Sequence, residues 1–175
     1  MIRRPPGLNR AVAAVICLCV LMTSCATGRA LDGLYRDEAK HFQVRLPQNG
    51  WQMTETRGAD VALRDTRSTA RMAVAASCPG EETGPLSSLV RHLFFGLRQV
   101  EELRQEQVVL DGAVGLDTMI RGSWEGATVQ IRSVVIRRTG CLYDLLYVAP
   151  ADTFEVHSAD FDAFLKSWQF LSEQP

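Results

Sequence analysis

The sequence predicts an α+β domain in which an antiparallel meander sheet is covered by helices. Runs of β-branched and aromatic residues alternate with short turns that contain glycine, which is typical of consecutive β-hairpins. Two other segments carry apolar residues at steps of three and four, and a helix with one apolar face has to cover a sheet. The chain of 175 residues, 46% of them hydrophobic and 22% charged, is long enough for a single buried core.

Residues 1–24 are predicted to be a lipoprotein signal peptide that is not part of this domain. Three arginines precede a 12-residue apolar run at 11–22, which is too short to span about 30 Å of hydrocarbon and has the length of a signal-peptide core. The Met-Thr-Ser-Cys segment at 22–25 resembles the bacterial lipobox. This resemblance implies that Cys25 receives a diacylglyceryl group and fatty acyl chains such as palmitate. Ordinary secretion with cleavage after Ala26, and an uncleaved anchor, are the alternatives.

The residue after the lipidation site and the charge of the mature chain both bear on location. Ala26 rather than an aspartate follows Cys25, and in lipoproteins with this signal the absence of aspartate permits sorting to the outer membrane. Removing residues 1–24 takes away three arginines and no acid, which leaves 16 basic and 20 acidic residues. This balance excludes attraction to nucleic acid, or to anionic lipid through a polybasic face. We therefore expect a periplasm-facing envelope protein, on the outer rather than the inner membrane, held by its lipid.

The beginning of the mature chain is predicted to be a tether followed by strands. Residues 25–40 lack clear periodicity and are assigned to a lipidated tether, so that a single domain covers residues 41–172. Apolar and polar residues alternate over 42–46, as in a half-buried strand, and a turn follows at 47–50. Three further strands are predicted, one opened by Trp51, one in VALRD at 61–65 and one in RMAVAASC at 71–78.

The second half of the chain is predicted to contain a long helix, a meander and a closing helix. The first helix is expected from Pro85 to about Arg104, because apolar residues recur there at helical spacing. The meander follows, with hairpin turns at Asp111-Gly112, Glu125-Gly126 and Thr139-Gly140. The closing helix carries Phe161, Phe164, Leu165 and Trp168 on one face.

Two cysteines, Cys78 and Cys141, remain after the signal peptide and Cys25 are set aside. Cys78 ends one predicted strand and Cys141 begins another, so antiparallel pairing of these strands would bring the two sulfurs together. We predict a structural disulfide, because disulfides persist in an oxidising compartment. Two inert thiols and a catalytic thiol are the alternatives. No metal site is predicted, since the sequence has no CxxC pair and its three histidines, at 41, 92 and 157, are far apart in the chain.

Three segments together resemble a known fold family. FQVRLPQNGW at 42–51, YDLLYVAP at 143–150 and FDAFLKSWQF at 161–170 are similar to the opening and closing segments of PsbP-like α/β/α sandwich proteins. The resemblance covers about residues 40–170 and implies this fold. It carries no metal or partner site of the characterised members onto any position of this sequence, and a fold does not imply a function.

A few residues within the meander could carry chemistry. Asp144 interrupts an apolar strand, and we expect it on the less buried face, beside Arg132 or Arg137 of the neighbouring strand; an acid in a cleft is the alternative. Tyr143 and Tyr147 share a face and are expected to pack in the core, with an aromatic ligand wall as the alternative.

The sequence contains no recognisable catalytic motif. No phosphate-binding loop, nucleophile elbow or zinc-protease helix is present, and no cofactor or catalytic residue is predicted. We predict a lipid-anchored, non-enzymatic module that binds an envelope protein partner or assists an envelope assembly. A carrier or sensor of a small amphipathic ligand, held between helix and sheet, is the first alternative. A hydrolase built from dispersed Asp, His and Ser residues is the second.

Overall fold

The computed structural model describes residues 28–78 and 84–172, so the predicted signal peptide and Cys25 lie outside the described residues. Within them the chain forms two antiparallel sheets, two α-helices and a single 3₁₀ turn at Phe154–Val156. The strands are β1 (Arg29–Leu31), β2 (Leu34–Asp37), β3 (Phe42–Arg45), β4 (Trp51–Met53), β5 (Val61–Asp65), β6 (Arg71–Ser77), β7 (Arg98–Leu110), β8 (Ala113–Trp124), β9 (Ala127–Arg138), β10 (Cys141–Pro150) and β11 (Gln169–Phe170), and the helices are α1 (Leu86–Leu93) and α2 (Ser158–Lys166).

The larger sheet lies between two layers. Its seven strands follow the order β4-β5-β6-β10-β9-β8-β7, and the smaller sheet has the order β1-β2-β3-β11. The smaller sheet and α2 cover one face of the larger sheet, where the main core contains stacked aromatic rings such as Phe42 and Trp168. Helix α1 packs on the opposite face through Leu89 and Val90. The predicted helix-covered antiparallel sheet is therefore confirmed, although strands make up most of the domain.

The hairpin turns lie where the sequence predicts them. In a two-residue type I′ turn both central residues have positive φ, which matches the right-handed twist of the flanking strands. The three predicted dipeptides adopt this conformation, with φ of 45° and 78° at Asp111 and Gly112, 50° and 87° at Glu125 and Gly126, and 48° and 73° at Thr139 and Gly140.

The long helix predicted from Pro85 to about Arg104 is wrong in its second half. Helix α1 ends at Leu93, and Arg98–Leu110 forms β7 instead. Gly96 has a φ of +95°, which ends helical geometry, and β7 then pairs with β8 as far as Leu110 opposite Ala113. Hydrogen bonds to β8 satisfy the backbone groups along one side of this segment, and helical periodicity in a single sequence contains no information about that partner.

The tether predicted for residues 25–40 is also wrong in part. Residues 29–31 and 34–37 form β1 and β2, and β2 pairs with β3 from Leu34 opposite Arg45 onward. Tyr35 of β2 is buried against Phe42 in the main core. The folded domain therefore includes the strands at 29–31 and 34–37, which precede the predicted boundary at residue 41.

The predicted disulfide is present and joins two neighbouring strands. Strands β6 and β10 pair antiparallel with Ser77 opposite Leu142, which brings Cys78 beside Cys141. Their sulfurs are bonded, and their Cα atoms lie 4.5 Å apart. The bridge thus links the end of β6, after which the chain continues to α1, to the start of a central strand.

Candidate functional site

An open groove crosses the α1 face of the larger sheet, and we call it the α1 groove. It has a volume of about 390 Å³ and runs from β8 across β9 and β10 to β6, with the end of α1 and the following turn as its wall. Its lining residues are mostly apolar: Thr69, Arg71, Leu93, Phe95, Leu97, Trp124, Ala127, Val129, Ile131, Val148, Ala149 and Pro150.

The groove exists because α1 is short. Eight residues make about two turns, which cover β8 and β9 near Ile120 and Val135 but not the end of the sheet where β8 meets β9. After Leu93 the chain turns away through hydrogen bonds such as that from the Leu97 N–H to the Phe94 carbonyl, at 3.1 Å. Apolar side chains on β9 and β10 are therefore only partly covered beyond the helix end.

Two aromatic side chains form the exposed rim of the α1 groove. Phe94 and Phe95 are adjacent in the chain and point in different directions, so Phe94 is buried in the α1 core and Phe95 is 93% exposed. Trp124, at the end of β8, is 49% exposed. Exposed aromatic groups next to an apolar groove are typical of an interaction surface.

A second candidate site is a polar cluster at the start of α2, which borders a cavity of about 580 Å³. The His157 ring lies between two carboxylates, with Nδ1 3.1 Å from Asp160 and Nε2 3.5 Å from Asp65. Asp65 is buried and also contacts the Arg67 guanidinium at 3.3 Å. Burial acts to raise the pKa of Asp65, but hydrogen bonds from Ser68 and Arg67 and the proximity of His157 outweigh it, so this pKa lies below 3.8.

This polar cluster around His157, called the histidine cluster below, has the geometry of a structural contact rather than of a catalytic site. Both ring nitrogens of His157 face carboxylates, and the Asp160 carboxylate also accepts a 3.0 Å hydrogen bond from the Trp51 indole. The Ser68 side chain interacts with Asp65 rather than with His157. A general base needs a free ring nitrogen within reach of a nucleophile, and His157 does not offer one in this arrangement.

Of the two arginines predicted as neighbours of Asp144, Arg132 lies on the opposite face of the sheet and Arg137 lies on the same face. Arg132 lies under α2 and binds Asp117 at 2.8 Å and Asp162 at 2.6 Å. Burial acts to lower the pKa of Arg132, but these two carboxylates raise it above the usual range. Asp144 is opposite Val135 on the α1 face, the face that also carries Arg137, the other arginine named from the sequence.

Tyr143 and Tyr147 belong to the core, as the sequence predicts. Both are fully buried, and their hydroxyls donate to the carbonyls of Lys40 at 3.0 Å and Phe154 at 2.7 Å. Burial raises the pKa of each phenol to about 12. The tyrosines therefore form no ligand wall.

Sequence reasoning identified neither the α1 groove nor the histidine cluster. The adjacent Phe94 and Phe95 could have indicated the groove, because two neighbouring side chains at a helix end cannot point into the same core. Asp65 shares its strand face with the buried Val61 and Leu63, because alternate residues of a strand lie on the same face. This alternation indicates that the Asp65 carboxylate points inward. Nothing in the sequence pattern indicated that His157 would meet it.

Residues 28–78 and 84–172 contain neither a cluster of metal ligands nor a membrane-spanning helix. No group of three or more His, Cys, Asp or Glu side chains there is arranged to hold a metal ion. No helix in these ranges is long and apolar enough to cross a membrane.

The fold is shared with solved structures of low sequence identity. The sequence itself matches no protein-family model and no curated protein. The cyanobacterial PsbP of Synechocystis sp. PCC 6803 is similar with a TM-score of 0.59 at 21% identity, covering 85% of this chain and 98% of that one. LpqN of Mycobacterium tuberculosis is similar with a TM-score of 0.56 at 13% identity, covering 75% and 84%. A variant of the protein Mog1 follows with 0.55 at 10%, covering 76% and 92%. The chain therefore has the PsbP-like fold that its opening and closing segments resemble.

Proposed function

We propose that this chain is a non-enzymatic, lipid-anchored binding module of the bacterial cell envelope, and that the α1 groove is its binding site. The observation that carries the proposal is the groove itself, which is open, lined mainly by apolar side chains and about 390 Å³ in volume. Phe95 and Trp124 form its exposed rim. Ligand sites of 300–1,000 Å³ lined by apolar side chains are typical of binding proteins.

The placement in the envelope is supported by the lipobox-like segment and by one structural neighbour. Cys25 would carry the lipid, and the lipid would hold the domain at the periplasmic face, with the outer membrane favoured by Ala26. LpqN, which shares the fold, is described as involved in cell envelope biogenesis of its own organism.

An envelope protein partner, as predicted from the sequence, is a second candidate for what binds at this site. It is favoured by Phe95, whose nearly complete exposure is unusual for a large apolar side chain in a soluble domain. A hydrolase is disfavoured, because the most buried titratable cluster of the described residues holds its histidine between two carboxylates.

The proposal is tested with the secreted Cys25→Ser chain, kept free of detergent, and the neutral apolar dye N-phenyl-1-naphthylamine. We expect saturable dye binding that Val129→Trp weakens at least tenfold, because Val129 lines the groove and a larger side chain there fills it. Val109→Trp is the matched control, since Val109 is 69% exposed on β7 and does not line the groove.

Two results would contradict the proposal. Absence of saturable binding by the folded wild-type chain would remove the groove as a binding site. Equal binding by the Val129→Trp and Val109→Trp variants, both with native melting curves, would place the bound dye elsewhere.

A further inference from the structure

The α1 groove is chemically asymmetric along its length. At the β8 end its lining consists of apolar groups, including Trp124 and Leu97. At the β6 end stands Arg71, the one lining residue of the described chain with a charged side chain. A cation at one end of an apolar groove matches a ligand that has an anionic group at one end and an apolar remainder.

A second arginine strengthens the positive charge at the β6 end. Arg64 of β5 lies directly opposite Arg71 in the antiparallel register, so the two side chains project from the same face of the sheet. Like charges directly opposite each other on neighbouring strands are destabilising. Arg64 donates a 3.0 Å hydrogen bond to the neutral Gln52, and no carboxylate of the described residues lies within 4.0 Å of either guanidinium.

Arg64 and Arg71 are both exposed, and the pair differs from Arg132 and Arg67 in what the guanidinium groups contact. Arg132 and Arg67 each contact a buried carboxylate of the domain itself. The pair Arg64 and Arg71 lacks such a partner among the described residues, although charged groups of opposite sign are common on this chain. An external anion placed between the two guanidiniums would relieve their repulsion and accept charge-assisted hydrogen bonds.

We propose that the α1 groove binds a monomeric amphiphile with an anionic head group and a single acyl tail. The head group lies at Arg71 and Arg64, and the tail crosses β10 and β9 past Val148 and Val129 towards Trp124. This inference rests on the proposed function, because it names the ligand class of the same groove. It assigns the groove to a small lipid-like ligand rather than to a protein segment.

The test measures displacement of the neutral dye from the secreted Cys25→Ser chain by ligands that differ only in one end. Dodecanoate, dodecanol and dodecyltrimethylammonium, each below its critical micelle concentration, vary the head group, and acetate provides the anion without the tail. We expect dodecanoate to bind at least tenfold more tightly than the alcohol or the cation, and acetate to displace no dye. Vesicles of anionic phosphatidylglycerol are a separate arm, in which we expect no sedimentation of the chain.

Variants locate the head group. Arg71→Gln should weaken dodecanoate binding about tenfold and leave dodecanol binding unchanged, since a charge-assisted pair of hydrogen bonds is lost. Arg57→Gln is the matched control, because Arg57 is exposed in the β4–β5 connection and outside the groove lining.

Four outcomes would overturn the inference. They are equal affinity for dodecanoate and dodecanol, an anion preference that survives Arg71→Gln, displacement by acetate, or binding to anionic vesicles without binding of monomeric dodecanoate. In each of these cases dye binding itself still stands, so the proposed function survives. Loss of dye binding in the wild-type chain is the different result that removes both.

Discussion

Gly96 lies against the indole ring of Trp124, so closely that a methyl group on Gly96 would lie 3.1 Å from Cζ3 of the ring. The φ of Gly96 is +95°, a conformation that L residues with side chains rarely adopt. This contact joins the turn after α1 to the end of β8, and both segments line the α1 groove.

Gly96→Ala should therefore destabilise the domain and disturb the groove rim. We expect a loss of about 1–3 kcal/mol from backbone strain alone, measured by chemical denaturation, together with weaker dye binding. Gly84→Ala is the control, because an added methyl group at Gly84 meets no atom within 4 Å. If the two alanine variants unfold at the same denaturant concentration, neither the positive φ of Gly96 nor its contact with Trp124 has an energetic role.

The Cys78–Cys141 bond should stabilise the domain mainly by restricting the unfolded chain. The two residues are 63 positions apart, for which the chain-entropy model gives an upper estimate of about 4 kcal/mol. We expect a double Cys→Ala variant to unfold at lower denaturant concentration. The unfolded but unreduced Cys25→Ser chain should contain no alkylatable thiol at these positions, and two thiols per chain by mass spectrometry would show that the bond is absent.

Arg132 should be essential for stability, because it neutralises a buried acid. Asp117 is 1% exposed, and its carboxylate accepts hydrogen bonds from Nε and Nη2 of Arg132. Arg132→Leu leaves the Asp117 carboxylate with only the more exposed Arg104 of the described residues, at 3.3 Å, and breaking a buried ion pair of this kind costs at most about 3–5 kcal/mol. Asp162→Ala should cost less than about 1 kcal/mol, since the Asp162 side chain is half-exposed.

A compensating change makes this prediction specific. Replacing Asp117 by leucine together with Arg132→Leu removes both charges, and we expect it to recover much of the stability that Arg132→Leu loses. If the double variant is as unstable as Arg132→Leu alone, packing of the arginine rather than its charge is responsible. Thermal unfolding followed by circular dichroism measures all three variants.

The acid stability of the domain should depend in part on Asp65. Its pKa in the folded chain is below the ordinary value of 3.8, so ionised Asp65 stabilises the folded state above that pH. The contribution is lost as the pH falls through the lowered folded pKa. Asp65→Asn should therefore be less stable than wild type at pH 7, with a difference that narrows below about pH 4. A difference that stays constant from pH 7 to pH 3 would exclude this linkage.

The predicted lipid on Cys25 is tested by cell fractionation. Cys25→Ser should abolish acyl labelling and release the protein from the membrane fraction while the domain stays folded, since its described elements begin at residue 29. A Cys25→Ser protein that remains in the membrane fraction after a high-salt wash would contradict lipid anchoring.

Much of the sheet could be predicted from the sequence because its signals are local. Asp111 and Gly112 adopt positive φ readily, so the turn type and the antiparallel neighbours follow from two residues. The disulfide followed in the same way, since Cys78 and Cys141 lie at the ends of two strands that proved to be neighbours. The apolar face of the closing helix was equally clear from the spacing of Phe161, Phe164 and Leu165, although Trp168 lies beyond the helix end at Lys166.

Only the tertiary structure decided where α1 ends and what the domain exposes. The segment after Gly96 has helical periodicity, but pairing with β8 satisfies the backbone groups along one side of it and makes it the edge strand of the larger sheet. Likewise, His157 meets Asp65 from 92 positions away, and Arg71 faces Arg64 across a register that two short strands set. Sequence patterns indicate which face a residue occupies within its own element. A groove or a buried ion pair forms only where elements that are distant in the chain come together. Which elements meet is determined by their packing alone.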